Sequence, residues 1–292
     1  MTQFEDKYSE YRKAFEEILT EFCNKLNCKP KILSESLKYS LQLGGKRVRP
    51  VLMLAAGELL GINREKLLNF ALALELIHTY SLIHDDLPEM DNDDFRRGKP
   101  SNHKVFGVGN AVLAGDGLLN TAYSVLLREC FNGEESVSAA KYICNCAGIS
   151  GMIAGQSADL LHENDGEVDE DILNFIYENK TAKLISAAVV TPSILCGGKF
   201  YSELSAFGRD IGFLFQITDD ILDVEGSFEN LGKSVGKDNA EGKYTGVRLY
   251  GLDGCKLKAD LLTDKCLKIL ESFDGDTEFL RELTYFVRQR IN

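Results

Sequence analysis

The chain has 292 residues and a formal net charge of −12, from 33 Lys and Arg against 45 Asp and Glu. That surplus of acid argues against nucleic acid and anionic membranes as partners, since both need a basic footprint. The 44% apolar content can supply a sizeable core, and eight scattered cysteines without a CxxC pair fit neither a zinc site nor a compact disulfide framework.

Helical periodicity dominates, and the elements follow in chain order. The charged start, 1–17, lacks the apolar core of an export signal. Glu5–Cys23 is amphipathic. Pro30 opens a second segment through Leu41 that stops at Gly44-Gly45, and Pro50–Leu60 ends at Gly61. Glu65 to Asp86 is apolar nearly all round, the mark of a buried helix. The polar stretch Asp91–Gly109 is predicted as loop or short broken pieces. Further helices are predicted over Ala111–Phe131, Ser136–Leu161, Asp169–Val190, Ser202–Val224, Gly254–Ser272 and Thr277–Gln289, with a mobile Gly- and Lys-rich loop over Glu225–Tyr244. The expectation is one all-α domain over 1–292. With reduced thiols and no uninterrupted apolar run of about 18 residues, a cytoplasmic protein without a membrane span is expected.

Two aspartate clusters stand out, Asp85-Asp86-Leu87-Pro88-Glu89-Met90-Asp91 and Asp219-Asp220-Ile221-Leu222-Asp223. A lone cluster is more often a solvated helix end. Both of these follow apolar runs, where unpaired carboxylates cost several kcal/mol unless cations compensate. Asp219 and Asp223 share a helix face about 6 Å apart along the axis. Pro88 biases Leu87 out of helical geometry, so the chain can turn and bring Asp91 back toward Asp85. Carboxylates with little His or Cys nearby suit a hard cation such as Mg²⁺, which keeps waters and binds substrate phosphates.

Cations gather at Gly44-Gly45-Lys46-Arg47-Val48-Arg49-Pro50, at Arg96-Arg97-Gly98-Lys99-Pro100, at Lys180, and at Lys233, Lys237 and Lys243. Guanidinium groups match phosphate oxygens in pairs. His78 lies two helical turns before Asp85, about 10.5 Å back on the same face, so a polar stripe shared with Glu75 and Ser81 suggests a cavity wall. His84, His103 and His162 show no such pattern and are read as structural.

These motifs together resemble the trans-prenyltransferase, or polyprenyl synthetase, family, and within it the bacterial farnesyl and geranyl diphosphate synthases. The similarity runs from Gly44 to about Lys243. Phe215-Gln216-Ile217-Thr218 before the second cluster, Ala111 to Asp116, Gly155-Gln156 and Leu231-Gly232-Lys233 also fit. The resemblance implies a homodimeric helical bundle around a central active-site cavity. It implies that Asp85, Asp86, Asp91 and Asp219, with Asp223, hold up to three Mg²⁺. By the same similarity, Arg96, Lys180 and Lys233 hold an allylic diphosphate, and Lys46, Arg49, His78 and Arg97 hold isopentenyl diphosphate. Thr181 and Gln216 would face the developing carbocation, and Tyr80 would form the floor that sets product length. The sequence departs from the family pattern after Lys243, where Tyr244-Thr245-Gly246 stands in place of Thr-Tyr-Pro. Arg288 and Arg290 are further candidates for reaching a phosphate.

The implied reaction joins isopentenyl diphosphate to dimethylallyl or geranyl diphosphate with release of diphosphate, giving the fifteen-carbon farnesyl product. Ten- and twenty-carbon products are alternatives. A class I terpene cyclase needs no second diphosphate site, and a non-catalytic partner subunit usually loses an aspartate motif, whereas both motifs are intact here.

Overall fold

Thr2 opens the first helix, α1 (Gln3–Lys25), with a capping box: its side chain accepts from the Glu5 N–H, while its own N–H donates to Glu5 at 2.7 Å. The structure, a computed structural model, describes residues 2–163, 165–225 and 243–289. Helices α2 (Lys31–Gln42), α3 (Val48–Leu59) and α4 (Glu65–Asp85) follow. Leu67, Phe70, Leu74, Leu76 and Ile77 of α4 are buried on every side, as its all-round apolar sequence predicts. This helix has the length and apolarity to cross a membrane, and 67% of its most apolar window is buried within the protein itself.

The polar stretch after α4 carries more structure than its sequence suggests. Phe95–Arg96 (β1) and Lys99–Pro100 (β2) pair antiparallel. Arg97 and Gly98 form the two-residue turn between them, both with positive φ (55° and 72°), the geometry that matches strand twist in a tight hairpin. A short helix, α5 (Asn102–Phe106), leads into α6 (Val108–Glu129), which packs against α4.

The segment predicted as one helix over 136–161 is two, α7 (Glu134–Ala147) and α8 (Met152–Leu161). The backbone leaves the helical region at Gly148 (ψ −163°) and Gly151 (φ −143°). The segment predicted over 169–190 is likewise divided. Asp169 caps α9 (Glu170–Ile176), Tyr177–Ala182 form a π-helical turn, and α10 (Lys183–Leu195) continues. Then come α11 (Tyr201–Glu225), α12 (Gly246–Leu270) and α13 (Glu278–Gln289). Helix α12 begins eight residues before its predicted start, with a kink at Gly251 (φ 69°) that hides the continuity from periodicity.

Helices α3, α4, α10 and α11 form the middle of the bundle; α10 packs on α3, α7 and α11, and α11 also packs on α12. At one point the packing is backbone to backbone. A Cβ on Gly155 of α8 would lie 2.1 Å from the Lys180 nitrogen, so only glycine lets α8 seat against the π turn.

Candidate active site

One cavity of about 1020 Å³ opens among these helices. Its wall carries Lys46, Arg49, His78, Tyr80, Ser81, Asp85, Asp91, Arg96, Arg97, Lys180, Thr181, Gln216 and Asp219. Residues from α3, α4, the hairpin, the π turn and α11 therefore meet in one place, across a sequence span of more than 170 residues by the arithmetic 219 − 46.

The turn after α4 sets the first aspartate cluster. Helix α4 ends at Asp85, and the Asp91 N–H donates to the Asp85 carbonyl at 2.9 Å, returning Asp91 beside Asp85 as Pro88 predicts. Gln156 of α8 donates to Asp85 Oδ1 at 2.5 Å. Burial pushes the Asp85 carboxyl up, although Lys180 opposes it. Burial works the same way on Asp91, but there Lys180 and Lys243 outweigh it and hold the carboxyl below its usual range. Lys243 reaches Asp91 at 3.0 Å, which gives that lysine a place in the site. Lys180 is half-buried, and Asp85, Asp159 and Asp91 raise its ammonium above its ordinary value, so it stays protonated; its Nζ donates to Asp159 Oδ2 at 2.6 Å.

A second set of cations lies around His78. Arg49 Nη1 stands 3.3 Å from His78 Nε2. Burial, then the charges of Arg49 and Arg97, push His78 well below its ordinary value, so the ring is neutral. The Arg97 guanidinium donates to the Gly44 carbonyl. The Lys46 ammonium is exposed and stands 5.5 Å from the Phe286 ring centre.

Residues 30–278 match the polyprenyl synthetase family model. The chain is 44% identical over 262 residues to a farnesyl diphosphate synthase of Micrococcus luteus, covering 88% of this chain and 89% of that one. The chain belongs to the polyprenyl synthetase family. It is also 46% identical over 250 residues to a chloroplastic geranylgeranyl pyrophosphate synthase of Capsicum annuum, covering 84% of this chain and 68% of that one. A crystal structure of a geranyltransferase from Helicobacter pylori, complexed with magnesium and isoprenyl diphosphate, superposes with a TM-score of 0.86 at 32% identity, over 98% of this chain and 97% of that one. The all-helical fold expected from the sequence is the fold of these relatives, and the chain is a short-chain prenyltransferase.

The polyprenyl synthetase motifs do not all turn inward. Asp86 is buried outside the cavity wall, where Arg96 Nε donates to it at 2.9 Å; burial lifts its carboxyl to about 6 against the pull of that arginine. Its charge positions Arg96. Asp223 is also buried and outside the wall. The resemblance expects both to hold metal; here neither borders the cavity, and Asp86 is paired with Arg96 instead. Asp85, Asp91 and Asp219 of the two clusters do border the cavity, as do Glu75, Asp93, Asp116, Asp159 and Asp220. Among the described residues, no three His, Cys, Asp or Glu side chains converge into a closed metal cage. An all-oxygen set with an open shell is the donor chemistry that suits Mg²⁺ shared with phosphates, so these residues fit the ion.

Arg47 borders the cavity as well, but its guanidinium is committed to protein partners. With φ 52°, it places its guanidinium on Glu16 at 2.8 Å, Glu75 at 2.8 Å and the Leu41 carbonyl at 2.7 Å. His84, read as structural, does hold the Val112 carbonyl at 3.0 Å, and it also lines the cavity. Arg288 pairs with Asp260 at 2.7 Å and is not in the wall. Lys233, Lys237, Arg290 and most of the Glu225–Tyr244 loop lie outside the described residues. Asp159 and Gln156 were given no role by sequence reasoning, although the match of Gly155-Gln156 to the family was an available signal, and Lys243 was named among the cations with its part left open.

Proposed function

We propose that the chain condenses isopentenyl diphosphate with an allylic diphosphate to form the fifteen-carbon farnesyl product. The supporting observation is that cations gather about two centres in one cavity: Lys180, Lys243 and Arg96 about Asp91, and Arg49 and Arg97 about His78, with Arg96 acting on both and Lys46 on the same wall. The first set would hold the allylic diphosphate, with Lys233 joining it, and the second would hold isopentenyl diphosphate. A one-diphosphate enzyme needs only one such set.

Mg²⁺, up to three ions held by Asp85, Asp91 and Asp219, would neutralise the diphosphate so that it can leave. Lys180 and Arg96 add fixed positive charge at the same oxygens. Neutral His78 keeps a hydrogen bond for isopentenyl diphosphate without adding charge beside Arg49. Thr181 and Gln216 present oxygen dipoles to the allylic cation, and Leu119, Ile153, Leu160 and Leu184 line its pocket with apolar surface that keeps water from quenching it. The double bond of isopentenyl diphosphate then attacks, and the departing diphosphate accepts the proton that is lost.

Tyr80 is 5% exposed and lines the cavity, standing edge-on to His84 with ring centres 5.7 Å apart, which supports its reading as the floor. Exposed large apolar residues along α6 to α8, including Leu113, Leu127, Ile149 and Leu161, support a homodimer assembled through this region. A cytoplasmic site of action fits the bacterial relatives. The experiment is product analysis: purified protein with Mg²⁺, labelled isopentenyl diphosphate and each allylic primer should give a fifteen-carbon diphosphate. Release of a cyclic hydrocarbon, or no chain extension from any primer, would overturn the reading.

A further inference from the structure

We propose that Tyr177, which lies outside the motifs, and Asp220 of the second aspartate cluster are positioning residues that fix the dipoles of Gln216 and Thr181 toward the allylic cation. The proposal rests on the reading above, in which Thr181 and Gln216 face that cation. Two side-chain pairs carry it, each spaced four residues apart: Tyr177 and Thr181 on the π turn, and Gln216 and Asp220 on α11. The π turn and α11 pack together, so the two pairs face each other.

The direction of each hydrogen bond follows from chemistry. A carboxylate only accepts, so Gln216 must turn its NH₂ toward Asp220; Nε2 donates to Oδ1 at 3.0 Å. The Gln216 carbonyl then faces Thr181 and accepts its hydroxyl proton at 2.7 Å. With that proton committed, the Thr181 oxygen offers lone pairs to the cavity, the sign a carbocation needs. A flipped amide would donate to Thr181 and turn the hydroxyl proton inward, the wrong sign. Nothing in a glutamine by itself chooses between these orientations, since its two ends are nearly equal in shape.

Asp220 makes the choice, and it is held in turn. It is 3% exposed, and its other oxygen accepts from the Tyr177 hydroxyl and from the Gly246 N–H at 2.6 Å. Burial, then the neighbouring Asp220 charge, lift the Tyr177 phenol well above its ordinary value, so it remains a donor. Gly246 closes the arrangement: a Cβ there would lie 2.9 Å from the Tyr177 hydroxyl and 3.2 Å from Cys255 Sγ. The Tyr244-Thr245-Gly246 departure from the family pattern thus ends on this network.

A double-mutant cycle tests it. Tyr177→Phe keeps the ring and removes the donor; kcat should fall about tenfold with both KM values within about twofold of wild type. In a Gln216→Leu background the same change should have no further effect. Asp220→Asn, which permits either amide orientation, should show the same split. Mg²⁺ binding measured by calorimetry on the Tyr177→Phe protein should be unchanged, whereas a general distortion of α11 would move it through Asp219. Wild-type kcat in Tyr177→Phe, an effect that adds in full to that of Gln216→Leu, or weakened Mg²⁺ binding would each overturn the proposal. Wild-type kcat in Gln216→Leu would instead sink the underlying role of Gln216 at the cation.

Discussion

Arg47 and Arg49 are two residues apart and do different work. Arg47 is a buried cation with two carboxylates, and Arg47→Ala leaves Glu75, itself 2% exposed, as an unpaired buried charge. Denaturant unfolding should show a loss of about 3–5 kcal/mol. Arg49 borders the cavity beside His78, so Arg49→Ala and Arg97→Ala should raise the KM for isopentenyl diphosphate more than that for the allylic substrate. Equal changes in both constants would argue against two separate diphosphate sites. For Asp85→Asn and Asp219→Asn, kcat should drop by at least about 10² while circular dichroism stays that of the wild type. A folded pair of variants with normal turnover would remove the metal role from these carboxylates. The family resemblance gave Arg49 a role and left Arg47 out, but it did not sort Asp86 from Asp85. Adjacent residues on a helix point about 100° apart, and which direction is inward depends on what packs there.

At the scale of elements, the π turn at Tyr177–Ala182 is the clearest case of structure that periodicity conceals. It carries Lys180 and Thr181 into the cavity, and α8 seats directly on it. Gly155→Ala would force a Cβ to within 2.1 Å of the Lys180 nitrogen, so α8 and the turn must part. The expected cost is about 1–3 kcal/mol of stability. Activity should fall as well, because Lys180 and Gln156 move with the two elements. A Gly155→Ala enzyme with wild-type thermal midpoint and turnover would show that the contact is dispensable. The same reasoning explains why the helix predicted over 136–161 proved to be two. Its apolar residues keep a helical rhythm through the Gly148 and Gly151 break, and rhythm reports which faces are buried without reporting chain continuity.

For the whole molecule, the proposed function makes the depth of the cavity the limit on product length. Tyr80 and Ser81 both line it, although on an ideal helix Tyr80 points about 140° from Asp85. The pocket is wide enough that its wall includes more than one face of α4. Tyr80→Ala should deepen the cavity and shift products toward twenty carbons or more, with stability lowered by about 3 kcal/mol. Chain-length analysis of the reaction products checks this. An unchanged product from a folded, active variant would move the floor to another helix.

The helical class of the fold and the motifs of the family were legible in the sequence. Helical periodicity, glycine and proline stops, and two acidic clusters behind apolar runs are local properties, and each is written in residues a few positions apart. The resemblance that joined them covered motifs whose spacing is likewise local. Which cation or donor each buried carboxylate holds was settled by packing between elements. Asp86 holds Arg96 of the hairpin, Asp159 of α8 holds Lys180 of the π turn, and Asp220 of α11 accepts from Tyr177 of that turn, each pair joining two different elements. Packing also placed Lys243 on Asp91, where the sequence pattern had lost its guide. The reason is physical: the role of a buried charge is set by its partner, and a partner that arrives from another helix leaves no mark in the spacing of residues along one.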